Sequence, residues 1–252
     1  MSASRNDAAR RQRHPLQRFD APGKGLSGAT HVIGLISFYR SFKFLADNPN
    51  LINDSYGWHF QYLTIIGISI STLSFTSGLL ADITSSHQLF TLKNYLALVA
   101  APIEILISML YWGLRAISRD LVIPPDLPAP PILDDLGFHL FPTLLLTLDT
   151  LFLSPPWPTR PINPRASLVS LVSSITLAFT YWFWIERCYA ENGFYPYPIF
   201  SILSTPQRIG LFAGSGVAMW AVGAGLRWCY RAINGIEADL VREARAEERK
   251  AR

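Results

Sequence analysis

The sequence predicts an all-α, polytopic membrane protein with six transmembrane helices in one bundle and both termini cytosolic. Three observations lead there. Of 252 residues, 50% are hydrophobic and only 16% charged, against the roughly one quarter charged that a soluble domain carries. The apolar residues gather into six runs, each near the ~20 residues a helix needs to cross the hydrocarbon core. The basic residues concentrate at the two ends, so the net charge of +4 reads as orienting flanks rather than a nucleic-acid surface.

Residues 1–25 are polar, with Arg5, Arg10, Arg11, Arg13 and Arg18, and read as a disordered basic tail. Residues 26–230 form the transmembrane domain. Its first run, 26–45, carries Arg40 and Lys43, which must snorkel to the nearer interface. The second, 62–83, is uncharged until Asp82, and the third, 95–114, contains only Glu104 before Arg115. The fourth, 137–154, contains Asp149, and the fifth, 166–185, ends in the aromatic cluster Tyr181-Trp-Phe-Trp184. The sixth, 209–228, is rich in Gly and Ala, with Gly210, Gly214 and Gly216 expected to allow close helix contact. Residues 231–252 are charged and read as a cytosolic helix or tail.

An even number of spans places both basic ends in the cytosol, as the positive-inside rule requires. Loop one then faces the lumen or the exterior, together with the chain's one Asn-x-Ser/Thr sequon, Asn53-Asp-Ser55. The expected location is an endomembrane (endoplasmic reticulum) or the plasma membrane. Loop three, Ile123-Pro-Pro-Asp-Leu-Pro-Ala-Pro-Pro131, is too proline-rich for a helix. Cys188 and Cys229 fall at opposite faces, which argues against a disulfide between them.

Helices two and four run in the same direction, so Thr64 and His139 both lie just inside the outer face at similar depth. A threonine hydroxyl needs a base within hydrogen-bond reach to act as a nucleophile, and neutral imidazole suits that role. The plainer alternatives are a hydroxyl bonded to its preceding turn and an interfacial histidine. Asp149 lies about 15 Å further along helix four and turned off the His139 face. It is expected to meet Glu104, neighbouring hydroxyls or a water-filled cavity. Asp134 and Asp135 are closer to His139 and suit helix N-terminal acids equally well. The histidines lack metal-ligand spacing, so no metal is expected. No phosphate loop or dinucleotide fingerprint occurs, and no cofactor is expected.

Three segments carry a resemblance: Tyr56-Gly-Trp-His-Phe-Gln-Tyr-Leu-Thr64 with the helix ending Leu79-Leu-Ala-Asp82; Gly137-Phe-His139 before a helix with Pro142; and Tyr181-Trp-Phe-Trp-Ile-Glu186 with Asn192-Gly-Phe-Tyr-Pro-Tyr-Pro198. In order and spacing these resemble the androgen-induced-gene family of membrane proteins, which hydrolyse fatty acid esters of hydroxy fatty acids. The resemblance spans about residues 30 to 230. It implies that Thr64, after an aromatic-Leu pair at a helix start, is the nucleophile and that His139 is its base. Vertebrate members carry a His pair where this chain has Glu186-Arg187, and no role is transferred to those positions.

The expected activity is therefore that of an ester hydrolase drawing a lipid ester from the bilayer. The alternative is a non-enzymatic lipid-binding or scaffold protein. Transport through Asp149 and Glu104 is disfavoured, because the chain shows no repeated halves and no pair of broken helices.

Overall fold

The computed structural model describes residues 25–124, 129–155, 163 and 165–234. Both terminal segments read from the sequence, 1–25 and 231–252, lie almost wholly outside the described residues. Every described element is helical. In chain order these are α1 (Leu26–Asp47), α2 (Leu63–Thr84), α3 (His87–Ile117), α4 (Ile132–His139), α5 (Phe141–Leu148), α6 (Ala166–Asn192), the short α7 (Ile199–Ile202) and α8 (Thr205–Asn234). Two short 3-10 segments, Leu51–Asp54 and Trp58–Gln61, bridge α1 to α2, and a π turn, Asp149–Leu153, continues α5.

Four of these helices, α2, α3, α6 and α8, are long and apolar enough to cross a membrane. A fifth crossing is made if α4 and α5, with its π turn, act as one bent span. α1 has 22 residues but is not among them. Its sequence explains why. Its buried residues Ser27, His31, Gly34, Phe38 and Ser41 recur at helical spacing, so much of its polarity faces neighbouring helices.

The spans do not share the interior equally. About half of the apolar window of α2 (50%) and α3 (56%) is buried, against 17% in α6 and 22% in α8. The first pair therefore forms the packed centre, and the second pair presents most of its side chains outward. Phe38, Ile65, Ile68, Phe75, Ala100, Ala101, Phe138 and Leu146 make the largest core cluster, joining α1 to α5. Glycine sets the tightest approaches. A Cβ on Gly34 would sit 2.3 Å from the Phe75 ring, and one on Gly78 would sit 2.5 Å from His31. In α8 only Gly216 serves this way, against Ile175; Gly210 and Gly214 have open space beside them, contrary to the expectation from sequence.

The expected fourth helix is interrupted. The chain leaves helical geometry at Leu140 (φ −134°), and the two halves meet at a 43° bend. Pro142 accounts for this, because its ring would clash with the Phe138 carbonyl of a continuous helix and it has no N–H to donate. α3 starts earlier than expected, at His87, where Ser86 caps it by accepting from Leu89 N–H at 3.3 Å. That start draws Lys93 and Asn94 into the buried part of the bundle.

Candidate functional site

Loop one and the loop after α6 lock together over the start of α2. Gly57 adopts φ +88°, and a side chain there would collide with Cys188 and Trp184 of α6. The Asn192 side chain accepts from Tyr56 N–H at 2.8 Å and donates to the Tyr56 carbonyl at 3.0 Å, pinning the two loops. Tyr181 Oη donates to the Gln61 carbonyl at 2.8 Å, and Trp184 Nε1 donates to that of Phe60 at 2.9 Å. Through these bonds the aromatic side chains hold the entry to α2.

Thr64 lies in the first turn of α2 and is 6% exposed. Tyr197 Oη accepts from the Leu63 N–H at 3.1 Å and faces the Thr64 and Tyr181 side chains. Burial raises the Tyr197 phenol above its ordinary pKa, which keeps it protonated as a donor at neutral pH. Thr64 and Tyr197 border a cavity of about 110 Å³. Its other walls are mostly Leu, Ile and Phe side chains of α3, α6 and α8, with Tyr111 at one side. The site sets the Thr64 hydroxyl beside an apolar recess suited to a hydrocarbon chain.

His139 closes α4 at the same end of the bundle. Its Nδ1 lies 2.9 Å from Asp135 Oδ1, one helical turn back, and 3.1 Å from the Asp135 carbonyl. Asp135 is fully buried and also receives the Arg115 guanidinium, which donates to Tyr111 Oη at 3.0 Å. Both Asp135 acceptors call for a proton on Nδ1, which leaves Nε2 as the unprotonated nitrogen. The imidazole stacks face to face on Tyr111, with centroids 3.4 Å apart. Thr64 and His139 thus meet opposite sides of one neighbourhood: Tyr111 lines the Thr64 cavity and carries His139 on its ring. No direct hydrogen bond joins the two residues among those described.

The FAR-17a/AIG1-like family matches residues 27–231. The chain belongs to this family. A UPF0641 membrane protein of Schizosaccharomyces pombe is 38% identical over 180 residues, covering 71% of this chain and 78% of that relative. No solved structure matches. The matched region runs from the first turn of α1 into the last turn of α8, so the family unit is the whole described bundle. Of the segments singled out in the sequence, 56–64, 137–139, 181–186 and 192–198 lie at the Thr64 end of the bundle, whereas 79–82 lies at the other end of α2.

Asp135 was one of two equal candidates in the sequence, and the structure separates them. Asp135 faces His139, whereas Asp134 lies 4.0 Å from Arg40. Tyr197 and Arg115 drew no functional reading from sequence. The Pro-Tyr-Pro context was the available signal for Tyr197, since two prolines fix the backbone around a single hydroxyl.

Of the partners expected for Asp149, Glu104 is not one, since it accepts from Ser71 Oγ at 3.0 Å instead. Asp149 pairs with Lys93 and lies 3.3 Å from His31 Nε2, while His31 Nδ1 is 2.9 Å from Asp82. Ser27 and Ser154 donate to the two carboxylates at 2.9 and 3.0 Å. One ammonium and one imidazole held between two carboxylates compensate charge that would be costly in lipid. This cluster lies at the opposite end of α2 from Thr64, about 27 Å along the axis.

Proposed function

We propose that the protein is an integral-membrane ester hydrolase that cleaves fatty acid esters of hydroxy fatty acids. Thr64 is the nucleophile, His139 the base and Asp135 the carboxylate that orients it. The observation that carries this reading is the buried Thr64 hydroxyl on an apolar cavity whose Tyr111 wall holds an Asp135-oriented imidazole. Family membership and the membrane nature of the yeast relative support it.

In the proposed reaction His139 Nε2 is the base that receives the Thr64 hydroxyl proton. Thr64 Oγ1 attacks the ester carbonyl carbon, and the Tyr197 hydroxyl donates to the developing oxyanion. Collapse breaks the bond to the alkoxy oxygen, which leaves as the hydroxy fatty acid after taking the proton from His139. Water, deprotonated by His139, then hydrolyses the acyl-threonine and releases the fatty acid. The apolar walls hold one acyl chain. The topology belonging to this reading has six spans, with α1 as the sixth and both termini cytosolic, in an endomembrane or the plasma membrane. Thr64 then opens toward the lumenal or outer leaflet.

Hydrolysis of such an ester by the purified chain in liposomes tests the reading. Thr64→Ala is expected to lose more than about 10²-fold in rate while inserting normally, since Ala suits a helix. Activity within about threefold of wild type would remove Thr64 from the mechanism.

A further inference from the structure

A second, smaller cavity of about 30 Å³ lies along the seam of α3, the π turn and α8. It is about 22 Å along α8 from Phe212, which borders the Thr64 cavity. Its polar wall is Asn94, Thr150, Ser154 and Arg227. Asn94 is 4% exposed, and neither its Oδ1 nor Thr150 Oγ1 has a hydrogen-bond partner. Arg227, partly buried, has no hydrogen-bond or ion-pair partner among the described residues.

The charges nearby do not answer Arg227. Among the described residues no carboxylate lines the cavity, and the buried Asp149 and Asp82 are engaged by Lys93, His31, Ser27 and Ser154. An unengaged guanidinium presents up to five donors in a fork matched to phosphate oxygens. The Thr150 hydroxyl and the Asn94 amide nitrogen line the same cavity and can donate to phosphate oxygens, whereas Asn94 Oδ1 can only accept. Arg227 stands one residue before the end of the sixth apolar run, 209–228, from where its long side chain can snorkel to the headgroups. Leu98, 42% exposed, and Leu226 flank the opening and offer acyl chains an apolar approach.

We infer that this seam cavity binds the phosphate of a membrane phospholipid, with Arg227, Asn94 and Thr150 as its ligands. The site is separate from the ester chemistry and does not depend on it. Its role is to seat one lipid against α3 and α8 on the leaflet opposite Thr64.

The test is thermal unfolding of the detergent-purified full chain with dioleoyl phosphatidic acid, with dioleoylglycerol, or with sodium phosphate. Phosphatidic acid at saturation is expected to raise Tm by about 4 °C, and dioleoylglycerol, with the same chains but no phosphate, to leave it unchanged. Arg227→Gln and Asn94→Leu should each abolish the rise while keeping their own cooperative transition. Thr150→Val takes the place of Asn94→Leu if that variant does not fold. A full rise in the uncharged-site variants would assign the effect to the basic C-terminal segment and overturn the site. No rise with phosphatidic acid would also overturn it. A rise with sodium phosphate equal to that with the lipid would overturn the headgroup assignment.

Discussion

A carboxylate one turn before a histidine on the same helix can fix which imidazole nitrogen carries the proton. Asp135 does so for His139, and Arg115 holds Asp135 from the other side. Asp135→Asn keeps the shape but accepts the Nδ1 proton less well, so kcat should fall about 10²-fold with KM little changed. Steady-state kinetics check this; a rise in KM at constant kcat would instead assign Asp135 to binding. Tyr197→Phe removes one hydroxyl beside Thr64 and should also lower kcat by about 10²-fold. In the proposed mechanism Thr64 and His139 act on one proton transfer, so the double alanine variant should be no slower than the slower single variant. Losses that multiply would show two residues supporting the fold independently.

Among the elements, the ends of α1, α2 and α3 and the π turn are joined by the buried Lys93–Asp149 and His31–Asp82 contacts. Lys93→Met leaves Asp149 buried without its ammonium and should cost about 3–5 kcal/mol in denaturant unfolding from micelles. Adding Asp149→Leu should recover much of that loss, because the pair, rather than the lysine alone, is matched to the site. A Cβ on Gly67 would sit 2.8 Å from Glu104 Oε1, so Gly67→Ala should destabilise by about 1–3 kcal/mol in the same assay. These contacts were poorly legible in the sequence. Hydropathy locates α2, α3, α6 and α8 because each crosses as an unbroken apolar run. It misplaces Lys93, which reads as a loop residue before 95–114 yet is 1% exposed within α3. A charge neutralised by a partner fifty or more residues away leaves no local signal. The bend at Leu140 had a signal in Pro142, but the reading of 137–154 as one continuous helix passes over it.

For the whole molecule, the end that holds the candidate site was legible and its internal geometry was not. Alternating crossings put Thr64 and His139 at one face, and the structure agrees, since α2 begins and α4 ends beside Tyr111. The interposed Tyr111 ring could not be read from spacing, because it comes from the antiparallel α3. The six-span topology places loop one outside, so a cysteine introduced at residue 50 should react with an impermeant maleimide only from the lumenal or extracellular side. Reaction only from the cytosolic side would invert the bundle and put Thr64 on the other leaflet. The central claim is the proposal that this membrane protein is a hydrolase with Thr64 as its nucleophile. It is tested most directly by treating the purified protein in liposomes with a fluorophosphonate and mapping the adduct by mass spectrometry. The account predicts one phosphonyl group on Thr64, formed in parallel with loss of ester hydrolysis and absent from His139→Ala. Inhibition with the adduct on another residue, or hydrolysis persisting undiminished once Thr64 is fully modified, would contradict it.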